Sequence, residues 1–383
     1  MALAFTAPRG PLLKAAQLCN KIVERRNTIP ILSNLALRST AEGGLAITGT
    51  DLDLEATFAL PGQTVAVSSP GATTVPSGLL VDILRKFPEG AEISFTDKGD
   101  GRATISVGRS RFQLHSLPVE DFPSIAAGTF TVEMDLSPKI FRRMSDEVAF
   151  AISTEETRYY LNGIYLHAPS LDSTAQLTAV ATDGHRLSRS ILCPYEAEAA
   201  MPGVIVPRKT VSQFGMIADA VDEDQTIRVS VSESKIAFEA GDLKLVSKLI
   251  DGTFPDYNRV IPANNPKLYC IDRAGLAGTV DRVQTISNER GRAAKFAFTA
   301  DEVEVSVRSP DAGEAREALA LEAEGPGTED AMEIGFNAKY ALDILSTLKG
   351  ATVAFAMADP GSPSVISDPD DATRLVVLMP MRV

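Results

Sequence analysis

At 383 residues the chain is too long for one ordinary domain and long enough for two or three of ~100–200 residues each. With 44% hydrophobic and 23% charged residues it has an ordinary globular composition, and no run approaches the ~18 apolar residues of a membrane span. A net charge of −13 argues by itself against nucleic acid, whose phosphates need clustered Lys and Arg, but it does not say where the charges lie.

The N-terminus lacks a basic segment followed by an apolar one, so no secretory signal is expected. Cys19, Cys193 and Cys270 are isolated and odd in number, as suits reduced thiols in a cytoplasmic protein. The first predicted element is an amphipathic helix from Pro11 to Arg26. Leu12, Ala16, Cys19 and Val23 make its apolar stripe, and Lys14, Gln17, Lys21 and Arg25 a polar one. Alternation at Leu35 and Leu37 predicts a strand. Thr74 to Thr96 then reads as strand, helix, turn, strand. Ser77 is the expected N-cap, Leu80, Ile83, Leu84 and Phe87 give the helical period, Pro88-Glu89-Gly90 ends it, and Ile93 and Phe95 alternate. A meander through Ile93, Ile105 and Phe112 closes this third of the chain.

The same order returns twice. A helix is predicted from Ser137 to Ile152 and another from Asp272 to Ser287, the latter weakened by Gly275 and Gly278. Ile164 and Leu166, then Phe296 and Phe298, repeat the first strand. The second helix recurs after Pro207 and after Asn337, 131 and 130 residues further on in turn, close to the ~128 of an exact third. Meanders through Val229, Phe238 and Leu245, and through Phe355, Val365 and Val377, close the copies. The expectation is an α+β protein: three tandem copies of a domain with two helices on antiparallel sheets, spanning 1–128, 129–255 and 256–383. The joints fall near Phe122-Pro123 and Phe254-Pro255, with no low-complexity linker, so rigid joining is expected.

No cofactor or metal motif is visible. His115, His167 and His185 lie far apart, and there is no P-loop, GxGxxG or GxSxG. Asp183-Gly184-His185-Arg186 allows a general-base histidine beside a carboxylate, or a tight turn. The corresponding Thr50-Asp51-Leu52-Asp53 has no histidine, which argues for the turn. Charge is segregated. Predicted helices carry Lys14, Lys21, Arg25 and Arg26; Arg85 and Lys86; Lys139, Arg142 and Arg143; Arg208 and Lys209; Lys339 and Lys349. Acids gather in turns and rims: Glu120-Asp121, Glu196, Glu198, Asp222-Glu223-Asp224, Glu314 to Glu333 and Asp368 to Asp371. The plain reading is a set of solvated helix faces; the other is a positive surface inside a negative body.

Specific segments resemble the β subunit of bacterial DNA polymerase III, the sliding-clamp family, over essentially the whole chain. They are Ile29-Pro30-Ile31-Leu32-Ser33-Asn34, Thr48-Gly49-Thr50-Asp51-Leu52, Gly71-Ala72-Thr73-Thr74-Val75-Pro76, Gly108-Arg109-Ser110-Arg111-Phe112, Arg158-Tyr159-Tyr160-Leu161-Asn162-Gly163, Thr182-Asp183-Gly184-His185-Arg186-Leu187, Val206-Pro207-Arg208-Lys209, Phe254-Pro255-Asp256-Tyr257, Ser287-Asn288-Glu289 and Met379-Pro380-Met381-Arg382-Val383. The resemblance implies a head-to-tail homodimer closed into a ring, with helices lining the hole. The function it implies is non-enzymatic: the ring encircles duplex DNA without reading sequence and confers processivity. Implied partners are the clamp loader, the DNA polymerase III α subunit and other proteins carrying short clamp-binding peptides, with no membrane.

DNA-contacting positions implied are Arg26, Arg85, Tyr159, Tyr160, Arg208 and Lys209, with core packing the competing reading for the tyrosines. A peptide cleft would be formed by Leu161, Thr182, Gly184, His185, Arg186, Leu187, Pro255, Arg259, Val260, Val377, Met379, Pro380, Met381 and Arg382. The stretch Gly361 to Asp371 departs from the family, so its edge near Ser362 or Ser364 is left unmapped. The subunit interface would set Arg109, Arg111, Phe112 and Leu114 against Thr285 and Ile286, with the arginines paired to acids near Glu314 and Glu317. The alternatives are an acidic scaffold without a DNA role, or an enzyme built on the Asp183–His185 turn.

Overall fold

The computed structural model describes residues 2–24, 28–126, 128–168, 175–195, 200–287 and 293–383. Arg25, Arg26, Glu196, Glu198, Asn288 and Glu289, singled out above, lie outside them. By compactness the chain forms two units, Met1–Phe141 with Gln213–Leu249, and Arg142–Ser212 with Ile250–Val383.

In the first unit, helix α1 (Arg9–Asn20) buries Leu12, Ala15, Ala16 and Cys19. It starts and ends earlier than its periodicity suggests, and Pro11 falls in the first turn, where no N–H is needed. It lies on strands Leu45–Thr50 and Leu54–Leu60. The approach is close: a Cβ at Gly49 would meet the Cys19 carbonyl. Helix α2 (Ser77–Lys86) packs beside α1. Val81 is buried where Ile83 was expected, and Ile83 is only half-buried. Ser77 is not the cap; Pro76 holds that position, and Ser77 Oγ donates to Asn20 Oδ1 at 2.6 Å, joining the two helices. Cys19 is fully buried, its Sγ donating to the Ile47 carbonyl at 3.1 Å, and burial pushes its thiol up to about 12. Thiol reagents at pH 8 are therefore expected to spare Cys19 until denaturant is added, read by mass spectrometry of the labelled peptides; labelling in the native protein would contradict this.

A five-stranded sheet ends in strand Ser110–His115, which has a neighbour on one side only. An eight-stranded sheet joins the first third to the second: strand Leu243–Lys248 pairs antiparallel with Leu54–Leu60, from Leu243–Phe58 to Ser247–Leu54. Helix α3 (Pro138–Arg143) places Phe141 edge-on against Phe214 at 5.4 Å and Phe238 at 5.7 Å. The helix expected after Pro207 is broken into α4 (Arg208–Val211) and α5 (Phe214–Ala218). Ser212 Oγ turns back to the Lys209 carbonyl at 2.6 Å, a local bond that competes with the helical ladder.

In the second unit, the turn after α3 is not regular. Met144–Val148 is a π turn, and Ala149–Ala151 is 3-10. It carries Glu147 inward. That carboxylate, 3% exposed, accepts from Arg143 Nε at 3.0 and 3.2 Å and from Ser190 Oγ at 2.6 Å. Arg143 also donates to the Leu192 and Ile191 carbonyls, so a cation that the plain reading set on a solvated helix face is turned inward. A twelve-stranded sheet unites the halves of this unit through Arg186–Pro194 and Arg374–Leu378. Helix α6 (Arg273–Val283) is capped by Asp272, whose Oδ2 accepts from Gly275 N at 2.5 Å; that glycine therefore sits in the first turn. Helix α7 (Ala338–Thr347) is capped by Asn337, which accepts from Lys339 N and Tyr340 N. Both cover a core rich in aromatics, among them Tyr269, Phe296, Phe336 and Phe355.

Candidate binding cleft and basic helix faces

The Asp183 turn is built by its own side chains. Thr182 Oγ1 donates to the Arg186 carbonyl at 2.8 Å, and Gly184, at φ +87°, donates to Thr182 Oγ1. Asp183 Oδ1 accepts from the amides of His185 and Arg186, and Oδ2 from Arg186 Nε at 3.0 Å. Both carboxylate oxygens are thus engaged by the turn's own amides and by Arg186, so the carboxylate that would orient a general-base His185 is committed to holding the turn. Arg186 continues outward: its NH1 donates to Asp343 Oδ2 at 2.7 Å, and its guanidinium lies over the rings of Tyr340 at 4.2 Å and Phe150 at 5.2 Å. His185 faces Tyr340, centroids 6.3 Å apart.

The turn leads through Leu187 into an apolar cluster. Register pairs Leu187 with Val377, and beyond strand Arg374–Leu378 the last residues run on across the sheet. Met379 N donates to the His185 carbonyl and Met381 N to that of Gly335, each at 2.9 Å. A Cβ at Gly335 would strike the Met381 carbonyl, so glycine is required there. Leu161, Leu187 and Val377 belong to a buried cluster with Val180, Ile205, Phe254 and Tyr257. Apolar groups exposed on the same unit include Val260 at 44%, Met381 at 37% and Val383 at 66%. Gly184, His185, Pro255, Arg259 and Arg382 are exposed, while Thr182, Arg186, Met379 and Pro380 are half-buried. The sequence-expected cleft residues are therefore gathered on one unit, with three of them serving as floor. Sequence reasoning missed Tyr340, Asp343, Phe150 and Gly335. The first two lie three apart on α7, which alone signalled only a shared helix face. Of the unmapped edge, Ser364 is buried, and Ser362 Oγ donates to Asp359.

A buried apolar cluster with exposed methionine, valine and arginine on the same unit would suit a short extended peptide bearing apolar and acidic groups. The basic faces are separate from it. On the first unit Lys14, Lys21 and Arg85 line a hollow of 540 Å³ with Gln17 and Asn20. Arg85 lies 3.7 Å from Asp82, and both groups are exposed. On the second unit Arg208 and Lys209 line a hollow of 440 Å³ with Ser153, Thr154, Asn162 and Ser212. The tyrosines separate: Tyr159 is 55% exposed, whereas Tyr160 packs on the cleft's buried cluster.

Two open sheet edges complete the picture. Strand Ser110–His115 is exposed at all positions but Leu114, with Phe112 40% exposed against Phe87. Strand Gly313–Glu324 pairs with strand Glu302–Ser309 over residues 313–320 and with strand Lys267–Asp272 over residues 321–324, which leaves one edge of residues 313–320 open. Thr285 is exposed and Ile286 half-buried. Glu317, expected to wait for a partner's arginine, is already held by Arg282 of its own chain at 2.5 Å and by Thr279; these bonds draw its carboxyl down to about 2.

Three family models match in succession: the DNA polymerase III beta subunit N-terminal domain over residues 3–126, the central domain over 135–256 and the C-terminal domain over 258–382. The chain is 42% identical over 383 residues to the beta sliding clamp of Caulobacter vibrioides (strain NA1000 / CB15N), with 100% of each covered. It is 37% identical over 385 residues to that of Escherichia coli (strain K12), again with 100% of each covered. Among solved structures it is similar to a DnaN sliding clamp from Bartonella birtlesii bound to griselimycin, with a TM-score of 0.92, 40% identity and 100% of both chains covered.

Proposed function

The chain belongs to the DNA polymerase III β-subunit family and is a non-catalytic DNA sliding clamp, and we propose that it acts as a head-to-tail homodimeric ring around duplex DNA. The observation that carries this is the gathering of cations on helix faces in a chain of net charge −13. Arg85, Arg208, Lys209 and Tyr159, together with Arg26, contact backbone phosphates without reading bases, so the ring slides. Tyr160 is assigned to the cleft floor and not to DNA. The three domains are 1–128, 129–255 and 256–383, and the protein works in the cytoplasm.

The ring closes edge to edge, the strand carrying Arg109, Arg111, Phe112 and Leu114 of one copy against residues 313–320, Thr285 and Ile286 of the other. Because Arg282 occupies Glu317, the apolar contact of Phe112 and the main-chain edges dominate this joint. The cleft takes peptides of the DNA polymerase III α subunit, of the clamp loader and of other clamp-binding proteins. The test is topological. Gel filtration is expected to give a species near twice 40.8 kDa. Loaded protein should stay on nicked circular DNA and be lost when the circle is linearised. Equal retention on both would sink the reading.

A further inference from the structure

The joint segment after Leu249 is fastened to the sheet by four rings. Tyr165 and His167, two apart on strand Gly163–Ala168, leave the sheet opposite to buried Ile164 and Leu166. Tyr165 stacks on Phe254 at 4.8 Å with the planes 2° apart, and on His167 at 4.8 Å. His167 Nε2 shares a hydrogen bond of 3.0 Å with Tyr257 Oη. The neighbouring strand makes room for this: a Cβ at Gly203 would run into the Tyr165 ring. Tyr257 in turn opens the short 3-10 turn Tyr257–Arg259, whose Asp256 caps Asn258 N and holds Arg259 Nε at 3.0 Å; Val260 N donates to the Tyr257 carbonyl.

We propose that Tyr165 and His167 are positioning residues for the peptide cleft: they fix Phe254 and Tyr257, and through them set where Arg259 and Val260 stand at its rim. Neither ring is a contact residue. A loose segment would let Arg259, whose side chain is 85% exposed, and Val260 sample many places, and a peptide would then bear the ordering cost. Burial supports the pairing, since it lowers the pKa of His167 and keeps the imidazole neutral beside the tyrosine hydroxyl.

The inference rests on the cleft reading, and the test separates the two. The full-length clamp is titrated with a fluorescent peptide from the polymerase's clamp-binding segment, with thermal melts and gel filtration alongside. His167→Leu and Tyr257→Phe are each expected to weaken binding about five-fold, the effect of one hydrogen bond, and the double variant no further. His167→Gln should restore part of the affinity. Tyr165→Phe should bind within about two-fold of the parent, and Tyr165→Ala about ten-fold worse. A merely structural role would lower Tm and leave Kd unchanged, and that result overturns the proposal. If Tyr165→Ala fails to fold, the non-additivity of His167→Leu with Tyr257→Phe decides. No binding by the parent protein overturns the cleft reading and this proposal together.

Discussion

Removal of residues 379–383 is expected to abolish peptide binding, by about a hundredfold or more, while the dimer and the fold survive. In the proposed cleft the tail forms one wall. It hangs on two main-chain hydrogen bonds, to His185 and Gly335. Met379 and Pro380 are half-buried and the last three residues exposed, so no core is opened by deleting them. Strand Arg374–Leu378, which pairs with Arg186–Pro194, stays in place with Val377 still in the floor. Isothermal titration with the polymerase peptide, beside gel filtration, checks this. Unchanged affinity in a dimeric, folded protein would show that the cleft is elsewhere.

Arg374→Ala should cost about 3–5 kcal/mol of stability, the usual scale for removing one partner from a buried ionic network. Arg374 is 4% exposed and donates to the carbonyl and hydroxyl of Thr347 at the end of α7, and to the Glu147 carbonyl at 3.3 Å. Burial lowers its pKa from the ordinary value, against the opposing pull of Glu147 and Asp371, which keep it charged. Arg143 grips the other side of Glu147 and reaches Thr373. The alanine variant removes a cation from between the π turn and α7 and takes a donor from the Thr347 carbonyl and hydroxyl and from the Glu147 carbonyl, which Ser188 Oγ still reaches at 2.6 Å. Urea unfolding followed by circular dichroism measures it. A loss below about 1 kcal/mol, the scale of a surface pair, would mean that the network does not hold this joint.

Local rules account for what was legible in advance. The threefold repeat and the meanders depend on neighbours in the chain and were found where spacing put them, whereas the apolar periods were met only in part, since Val81 and not Ile83 is buried and the helix after Pro207 is broken. Ser77 shows the limit: its residue type suits a cap, yet Pro76 holds the position and the hydroxyl serves Asn20, 57 residues away. Glu147 shows it again. A carboxylate between Asp146 and Val148 on a polar stripe reads as solvated, and only Arg143, Ser190 and the π turn make its burial affordable. Tyr165 and His167 carried no signal at all, because their partners lie some 90 residues further on.

The two copies of one turn divide the matter most clearly. Thr50–Leu54 and Thr182–Arg186 make the same four hydrogen bonds, since Thr and Asp at fixed offsets dictate them locally. Leu52 even adopts the positive φ of Gly184, at +81°. So far the chain's own order of residues was sufficient. What happens beyond the turn was not. In the first copy the next residue is Glu55, which accepts from Ile125 N at 3.0 Å, and Asp53 pairs with Lys248 at 3.0 Å. In the second copy the same place holds Leu187, a member of the buried apolar cluster, and Arg186 reaches Tyr340 and Asp343. Short-range hydrogen bonds are specified by adjacent residues, whereas an open apolar cleft depends on which distant strands and tail pair beside it. That pairing exists only in the folded chain, and it is why one copy of the turn leads to charged partners and the other to the apolar cluster of the proposed cleft.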